Sequence, residues 1–204
     1  MELWIDENHE DLIRIGLKVI RTLYREHSKY QEILIVETVG FGRVLLLDGV
    51  IQTTEGDEFF YHEMLVHVPL FSHPEPENLL VIGGGDGGAV REALKHSSIK
   101  RVVHVEIDEK VVEACKIYLP GLSYDDERVE LNIADGVDYV KKTKETFDIV
   151  IIDSTDPVGP AKALFEYDFY KSLSSILSDR GVIALQSESP IFHKDFIGEI
   201  NNKL

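Results

Sequence analysis

Five carboxylates stand at the ends of four apolar, strand-like runs: LLVIGGGDGG (79–88), VVHVEID (102–108), VELNIADG (129–136) and FDIVIIDSTDP (147–157). In an open α/β sheet the ligand crevice lies beyond the carboxyl ends of the strands. Asp86, Glu106, Asp135, Asp153 and Asp156 are therefore expected around one opening. A lining of that kind attracts a cation and repels a phosphate.

The first run ends in GGGDGG (83–88), which contains the spacing GxGxxG through Gly83, Gly85 and Gly88. The spacing alone is weak, but a strand precedes it, a helix follows, and an acid sits about 20 residues on, at Glu106. That arrangement suits a nucleoside whose ribose hydroxyls meet Glu106. Asp86 separates two kinds of nucleoside. A pyrophosphate on this loop would face a fixed carboxylate, whereas an ammonium group would be drawn to it. The loop is thus expected to hold an S-adenosylmethionine type of ligand. Asp135 with Gly136 would serve the adenine edge, or Asp135 would cap a helix N-terminus, which aspartate also favours. The two roles are compatible.

DSTDPVGP (153–160) follows the fourth strand. In a sheet of order 3-2-1-4-5, strands one and four are neighbours, so Asp153 should face Asp86 across the crevice. Pro157 holds Asp156 extended and Pro160 stiffens a loop able to close over a ligand. An alkyl amine has a pKa near about 10.4, so presenting it neutral at pH 7 costs ~4.6 kcal/mol. A carboxylate that accepts the proton during attack lowers that barrier. Asp153 is assigned as this base, and Asp156 as the anchor for the far ammonium of a diamine.

The elements that must carry these residues alternate strand and helix from Asn78 onward. Strands are expected at 79–82, 101–106, 128–133, 147–152 and 181–187, with helices near 88–96, 109–118, 136–142 and 166–177. This predicts a doubly wound, Rossmann-like α/β sheet of the S-adenosylmethionine-dependent transferase type. Upstream, residues 14–53 read as a β-meander punctuated by Gly40, Gly42 and Gly49. DEFFYHEMLVHVPLFSH (57–73) reads as a helix whose apolar stripe is Phe59, Met64, Leu65, Val68 and Phe71. Two domains are expected: a small β-domain over 1–56 and the Rossmann-like catalytic domain over 57–204.

Bulk properties exclude several classes. A net charge of −16 over 204 residues argues against nucleic-acid binding, which rests on basic surface. No apolar run reaches the ~20 residues of a membrane span. The acidic start MELWIDENHE lacks a signal peptide's apolar core. A single cysteine, Cys115, fits a reducing compartment and a packing role. The expected location is the cytoplasm. His62 and His67 stand five apart, so their imidazoles point to different faces and cannot share a zinc ion. No metal ligand set is read from the sequence. His9, His27, His73, His96, His104 and His193 are read as surface or satisfied side chains. Trp4 is expected to anchor the N-terminal packing, and the Phe59–Tyr61 cluster to belong mostly to the core.

Taken together, GGGDGG, Glu106, Asp135-Gly136, DSTDPVGPAKALFE and GRVLLLDGVIQTTEGDEFFYHEM resemble the polyamine aminopropyltransferases, the spermidine synthases in particular. The resemblance runs from about Trp4 to the last residues. It implies transfer of the aminopropyl group of decarboxylated S-adenosylmethionine, a co-substrate, to putrescine, with no metal or redox cofactor. It implies Asp153 as proton acceptor and Asp86 as holder of the aminopropyl amine. On the nucleoside side it implies Gln31, Gly83, Gly85, Asp86, Glu106, Asp135, Gly136 and Pro160. On the polyamine side it implies Tyr61, His62, Asp86, Asp153, Ser154, Thr155, Asp156, Gln186 and Glu188. Family members usually continue through further strands and helices, including a late tyrosine, so the chain reads as C-terminally shortened. Partners are expected to be small molecules and further copies of the chain, as a homodimer or homotetramer. Two rival readings are an amine-directed methyltransferase and a catalytically silent polyamine-binding module. The first would more often carry an NPPY-like motif where this chain has DSTDP.

Overall fold

A computed structural model describes residues 2–9, 12–119, 126–157 and 159–204, except the side chain of Pro160. The first five strands are β1 (Leu3–His9), β2 (Ile13–His27), β3 (Glu32–Thr38), β4 (Gly42–Leu47) and β5 (Val50–Thr54). They form one antiparallel sheet in sequence order. The expected third run, RVLLLDGVIQT, folds as a hairpin because Asp48 (φ 49°) and Gly49 (φ 83°) make the tight turn between β4 and β5. β1 was not expected as a strand. Trp4 sits on it half exposed, at 49%, and so is no buried anchor.

One face of this sheet packs Ile33, Ile35 and Leu45 against Val111, Ala114, Cys115 and Leu119. The last four belong to or directly follow helix α3 (Glu109–Tyr118) of the second sheet's layer. Cys115 is fully buried, as its packing role requires.

After helix α1 (Glu58–Ser72) come β6 (Asn78–Gly83), α2 (Gly88–Leu94), β7 (Arg101–Glu106), α3, β8 (Val129–Ile133), α4 (Gly136–Lys142) and β9 (Phe147–Asp153). A 3-10 segment (Gly159–Phe165), α5 (Tyr167–Ser174), β10 (Leu177–Leu185) and α6 (Lys194–Lys203) complete the described fold. All pairings in this second sheet are parallel, in the order β10-β9-β6-β7-β8. That is the expected 3-2-1-4-5 order read from the other edge. β6 and β9 lie inside the sheet and have both faces covered. They therefore read as continuous Val/Ile/Leu runs rather than as alternating ones. Alternate residues still divide between the faces. Leu80, Ile82, Val150 and Ile152 pack with Phe169 and Leu173 of α5, whereas Leu79, Val81, Ile149 and Ile151 pack with α1 and α2.

Two expectations about helices fail. The helix expected over 166–177 ends at Ser174, because Leu177 already pairs with Phe147 and opens β10. In α1 the buried face is His62, Leu65, Val66, Pro69 and Leu70. The expected stripe is exposed except for Leu65: Phe59, Met64, Val68 and Phe71 face outward, as do Phe60 and Tyr61 to large degree. Apolar residues occur all round this helix, so two stripes fit helical spacing and composition did not choose between them. No helix among the described residues is long and apolar enough to cross a membrane.

Candidate active site

The site begins where β6 and β9 end side by side, with Gly83 opposite Asp153 in register. Gly83 (φ 79°) takes a left-handed conformation, and a Cβ there would lie 2.2 Å from the Asp153 carbonyl oxygen. Only glycine lets these two backbones meet. The next two glycines are flanked by carboxylates. A Cβ on Gly84 would reach Asp153 Oδ2 at 2.6 Å, and one on Gly85 would reach Glu106 Oε2 at 3.1 Å. The loop thus runs between Asp153 and Glu106. His104 of β7, a buried imidazole kept neutral by a pKa pushed down to about 4 by burial, bonds the Gly83 carbonyl through Nε2 at 2.7 Å.

Asp86, Asp153 and His62 converge, each bringing one polar atom within 4.8 Å of the others. Asp86 Oδ1 accepts from the Gly88 N–H at 2.8 Å and lies 3.5 Å from His62 Nε2. The other nitrogen, His62 Nδ1, lies 2.5 Å from Glu58 Oε2, which also accepts from Arg91 at 2.8 Å. His62 is held close against Gly88, where any Cβ would fall 2.3 Å from its ring. Burial lowers the His62 pKa, but the Asp86 contact, aided by Asp153 and Glu58, outweighs it and raises the value to about 9. The imidazolium in turn keeps Asp86 ionised against the opposing effect of burial.

Asp153 has a different environment. Burial, then the charge of Asp86, push its pKa up to about 6. Its Oδ1 accepts a hydrogen bond from the Tyr61 hydroxyl at 2.6 Å. Burial and the neighbouring Asp153 raise the Tyr61 pKa, so the phenol stays a donor. Asp153 Oδ2 is buried and accepts no hydrogen bond from the described residues. An acid of raised pKa with one oxygen held and the other spare is suited to taking a proton. A cavity of about 260 Å³ adjoins this cluster, lined by Thr53, Thr54, Glu58, His62, Asp86 and Arg91 among others.

On the other flank, Glu106 Oε1 accepts from the Asp108 N–H at 2.8 Å, and burial raises the Glu106 pKa to about 7. Asp108 caps α3 and accepts from Ser28 Oγ at 2.6 Å and Gln31 Nε2 at 3.1 Å. The N-terminal sheet thereby brings Gln31 to the Glu106 side. Asp135 Oδ1 caps α4, accepting from Val137 at 2.8 Å and Asp138 at 3.0 Å. Gly136 lets α4 start against β6, since a Cβ there would strike Ile82 Cγ2 at 2.4 Å.

Asp156 is exposed and accepts from Gln186 Nε2 at 3.3 Å, joining the loop after β9 to the end of β10. Ser154 and Thr155 are half-buried beside it, and Glu188 pairs with His193 at 3.0 Å. The Pro160 side chain lies outside the described residues. The five acids therefore do not form one tight cluster. Asp86 and Asp153 meet, Glu106 stands across the loop, Asp135 caps a helix, and Asp156 occupies the exposed loop after Asp153.

Glu58, Arg91, Ser28 and Asp108 were not singled out from sequence. Glu58 carries a usable signal, the i,i+4 spacing to His62 on one helix. Asp108 carries another, an acid immediately before a helical run. Ser28 and Arg91 have none, because their partners are distant in sequence.

Residues 58–204 match the spermine/spermidine synthase domain, and residues 3–55 match the spermidine synthase tetramerisation domain. The chain belongs to the spermine/spermidine synthase family. Within that family, it is 54% identical to a polyamine aminopropyltransferase of Thermoanaerobacter sp. (strain X514), covering 100% of this chain and 73% of that one. It is 52% identical to the polyamine aminopropyltransferase of Methanocaldococcus jannaschii, over 97% of this chain and 68% of the relative. A spermidine synthase solved in complex with the transition-state analogue AdoDATO superposes with a TM-score of 0.95 at 42% identity, covering 98% of this chain and 70% of that one. Spermidine synthase from Thermotoga maritima gives a TM-score of 0.90 at 40% identity, over 98% of this chain and 68% of that one. The Rossmann-like sheet with an N-terminal antiparallel sheet is thus the architecture of spermidine synthases.

Proposed function

We propose that this chain transfers the aminopropyl group of decarboxylated S-adenosylmethionine to putrescine, giving spermidine and methylthioadenosine. The observation that carries the reading is the Asp86–His62–Asp153–Tyr61 cluster at the mouth of the glycine loop. It separates two carboxylates by environment, one kept ionised by an imidazolium and one raised toward neutrality. Pairs of titratable groups driven apart in this way divide charge binding from proton transfer.

In this reading the nucleoside lies along the loop. Glu106 takes the ribose hydroxyls, with Gln31 beside it through Asp108. Asp135 and Gly136 meet the adenine, the cap bonds on Asp135 falling on one oxygen only. Gly83 and Gly85 shape the bed of that subsite. Asp86 binds the ammonium of the aminopropyl arm. The diamine enters past Tyr61, with Asp156, Gln186, Glu188, Ser154 and Thr155 on its distal side. Its near nitrogen attacks the propyl carbon bonded to sulfur. The new N–C bond forms as the C–S bond breaks, the electron pair leaves with sulfur, and the sulfonium becomes the neutral thioether of methylthioadenosine. The nitrogen's proton passes to Asp153 Oδ2 while Tyr61 holds Oδ1. Holding both reactants in line supplies much of the rate. No redox or metal step is required by this balance.

Matching of residues 3–55 to a tetramerisation domain supports assembly of several copies through the N-terminal sheet. The buried lone thiol of Cys115 fits a cytoplasmic location. Incubation with putrescine and either donor tests the chemistry. Methylthioadenosine and spermidine should form with the decarboxylated donor alone. Methyl transfer from S-adenosylmethionine, or binding without product, would favour the rival readings.

The raised Asp153 pKa sets a pH limb. The base must be ionised, so activity is present above about pH 6 and is lost as pH falls through that value. We expect kcat/KM for the nucleoside donor, which reports the free enzyme, to drop about tenfold per unit below pH 6. The cationic donor favours ionised Asp153 once bound, so the limb in kcat should lie lower. A pH–rate profile flat from pH 5 to 7 in kcat/KM would remove Asp153 as the base.

A further inference from the structure

A second cluster of metal-binding side chains lies between α1 and α2, on a face of α1 different from that of His62. Glu63 and His67 stand one turn apart on α1, and Glu92 and His96 repeat that Glu-to-His spacing on α2 and just beyond it. On α1, residues four apart share a helix face, so Glu63 and His67 present a carboxylate and an imidazole together. The two pairs meet. Glu63, His67 and Glu92 each offer a ligand atom within 4.8 Å of the others. His67 Nε2 lies 3.1 Å from Glu92 Oε2, while His67 Nδ1 lies 2.8 Å from His96 Nε2.

We propose that Glu63, His67 and Glu92 form a binding site for a divalent transition metal, zinc in chemical class, with His96 fixing the His67 ring. Two donors at ordinary zinc distances in a tetrahedron lie about 3.3 Å apart, close to the His67–Glu92 separation. Imidazole with carboxylates is a donor set that suits zinc. A ligating histidine characteristically donates its other N–H to a neighbour, which fixes tautomer and ring plane. His96 Nε2 is placed to accept that bond from Nδ1–H.

The Glu92 carboxylate is buried, with 1% of its side chain exposed, and its Oε2 faces His67 Nε2. Arg91 engages Glu92 at Oε1, 2.8 Å away. Lys95 Nζ donates to Glu92 Oε1 at 2.8 Å and lies 2.6 Å from Oε2, from a side chain that is 53% exposed. Lys95 thus acts as the charge that a metal would replace. The Phe71 ring lies with its centroid 4.9 Å from that of His96, inclined by 60°, on one side of the cluster. The helical face separates this site from the reaction centre, yet Arg91 bonds both Glu92 and Glu58, the partner of His62.

Cobalt(II) titration of the untagged full chain, stripped with EDTA, tests the assignment without reference to activity. One cobalt per chain should bind, with visible d–d absorption of a low-coordinate nitrogen and oxygen site, and zinc should displace it. His67→Ala and Glu63→Gln should each weaken binding by at least about tenfold. Glu63 is exposed, so its variant keeps the test alive if the histidine variant fails to fold. Lys95→Ala should tighten binding. His73→Ala, at the end of the same helix, should leave it unchanged. Binding that survives both ligand variants, affinity in Lys95→Ala no higher than in the parent, or no cobalt retained per chain, would overturn the site.

Discussion

Asp153→Asn should lower kcat by about 10²- to 10⁴-fold, or roughly 3–5 kcal/mol of barrier, while affinity for the nucleoside stays within a few-fold. The amide preserves shape and can still accept from the Tyr61 hydroxyl, which donates to Oδ1 at 2.6 Å. What it loses is a basic oxygen. Asp153 Oδ2 is buried with no hydrogen bond from the described residues, so it is the open acceptor position of this carboxylate. Asp86 is a poorer acceptor, because the adjacent His62 imidazolium holds its pKa down. The loss should also abolish the acid limb near pH 6, since the residue that titrates there is gone. Single-turnover rates alongside donor binding by calorimetry would separate the two effects. A variant that turns over at the parental rate would assign the proton to another acceptor.

Gly83→Ala should destabilise the protein by at least about 3 kcal/mol and remove activity with it. The position combines φ of 79° with a Cβ that would fall 2.2 Å from the Asp153 carbonyl oxygen. Left-handed strain alone costs alanine about 1 kcal/mol. The overlap adds more, because both partners are backbone in the central pair of strands and neither can turn aside. For a chain of this size the total corresponds to roughly 6–12 °C in Tm. Gly40→Ala is the control. It has φ of 97° with nothing within 4 Å of a new Cβ, so only the strain remains. Thermal unfolding that shows equal losses in the two variants would deny the close approach of β6 and β9 at the site.

The parallel sheet was legible because buried parallel strands leave a distinctive trace. LLVIG, VVHVE and FDIVIID are short apolar runs, each closed by glycine or an acid, and their alternation with helices restricts the sheet to few topologies. The positions of Asp86, Glu106 and Asp153 followed from strand ends alone. Asp135 was legible as a cap for the same reason, being one residue before a helix. What sequence could not resolve was orientation around a helix and contact across the chain. On α1 two apolar stripes compete, and the choice is made by Val90, Ala93 and Leu79, which pack against Val66 and Leu70. The pairing of Ser28 and Gln31 with Asp108 spans 80 and 77 residues and has no local signature. The five acids stand at the carboxyl ends of the parallel strands, but their separate contacts had no local signature. Strand ends specify which rim a carboxylate occupies, whereas the loop after Asp153 decides that Asp156 faces solvent.

Asp86 is the fixed negative charge that welcomes an ammonium and rejects a carboxylate. Calorimetric Kd values for decarboxylated S-adenosylmethionine and for S-adenosylmethionine test this directly, in the parent and in Asp86→Asn. The parent should prefer the decarboxylated form by about tenfold or more, and the substitution should erase most of that preference. Equal affinity for the two nucleosides in the parent, or a preference that Asp86→Asn leaves intact, would contradict it.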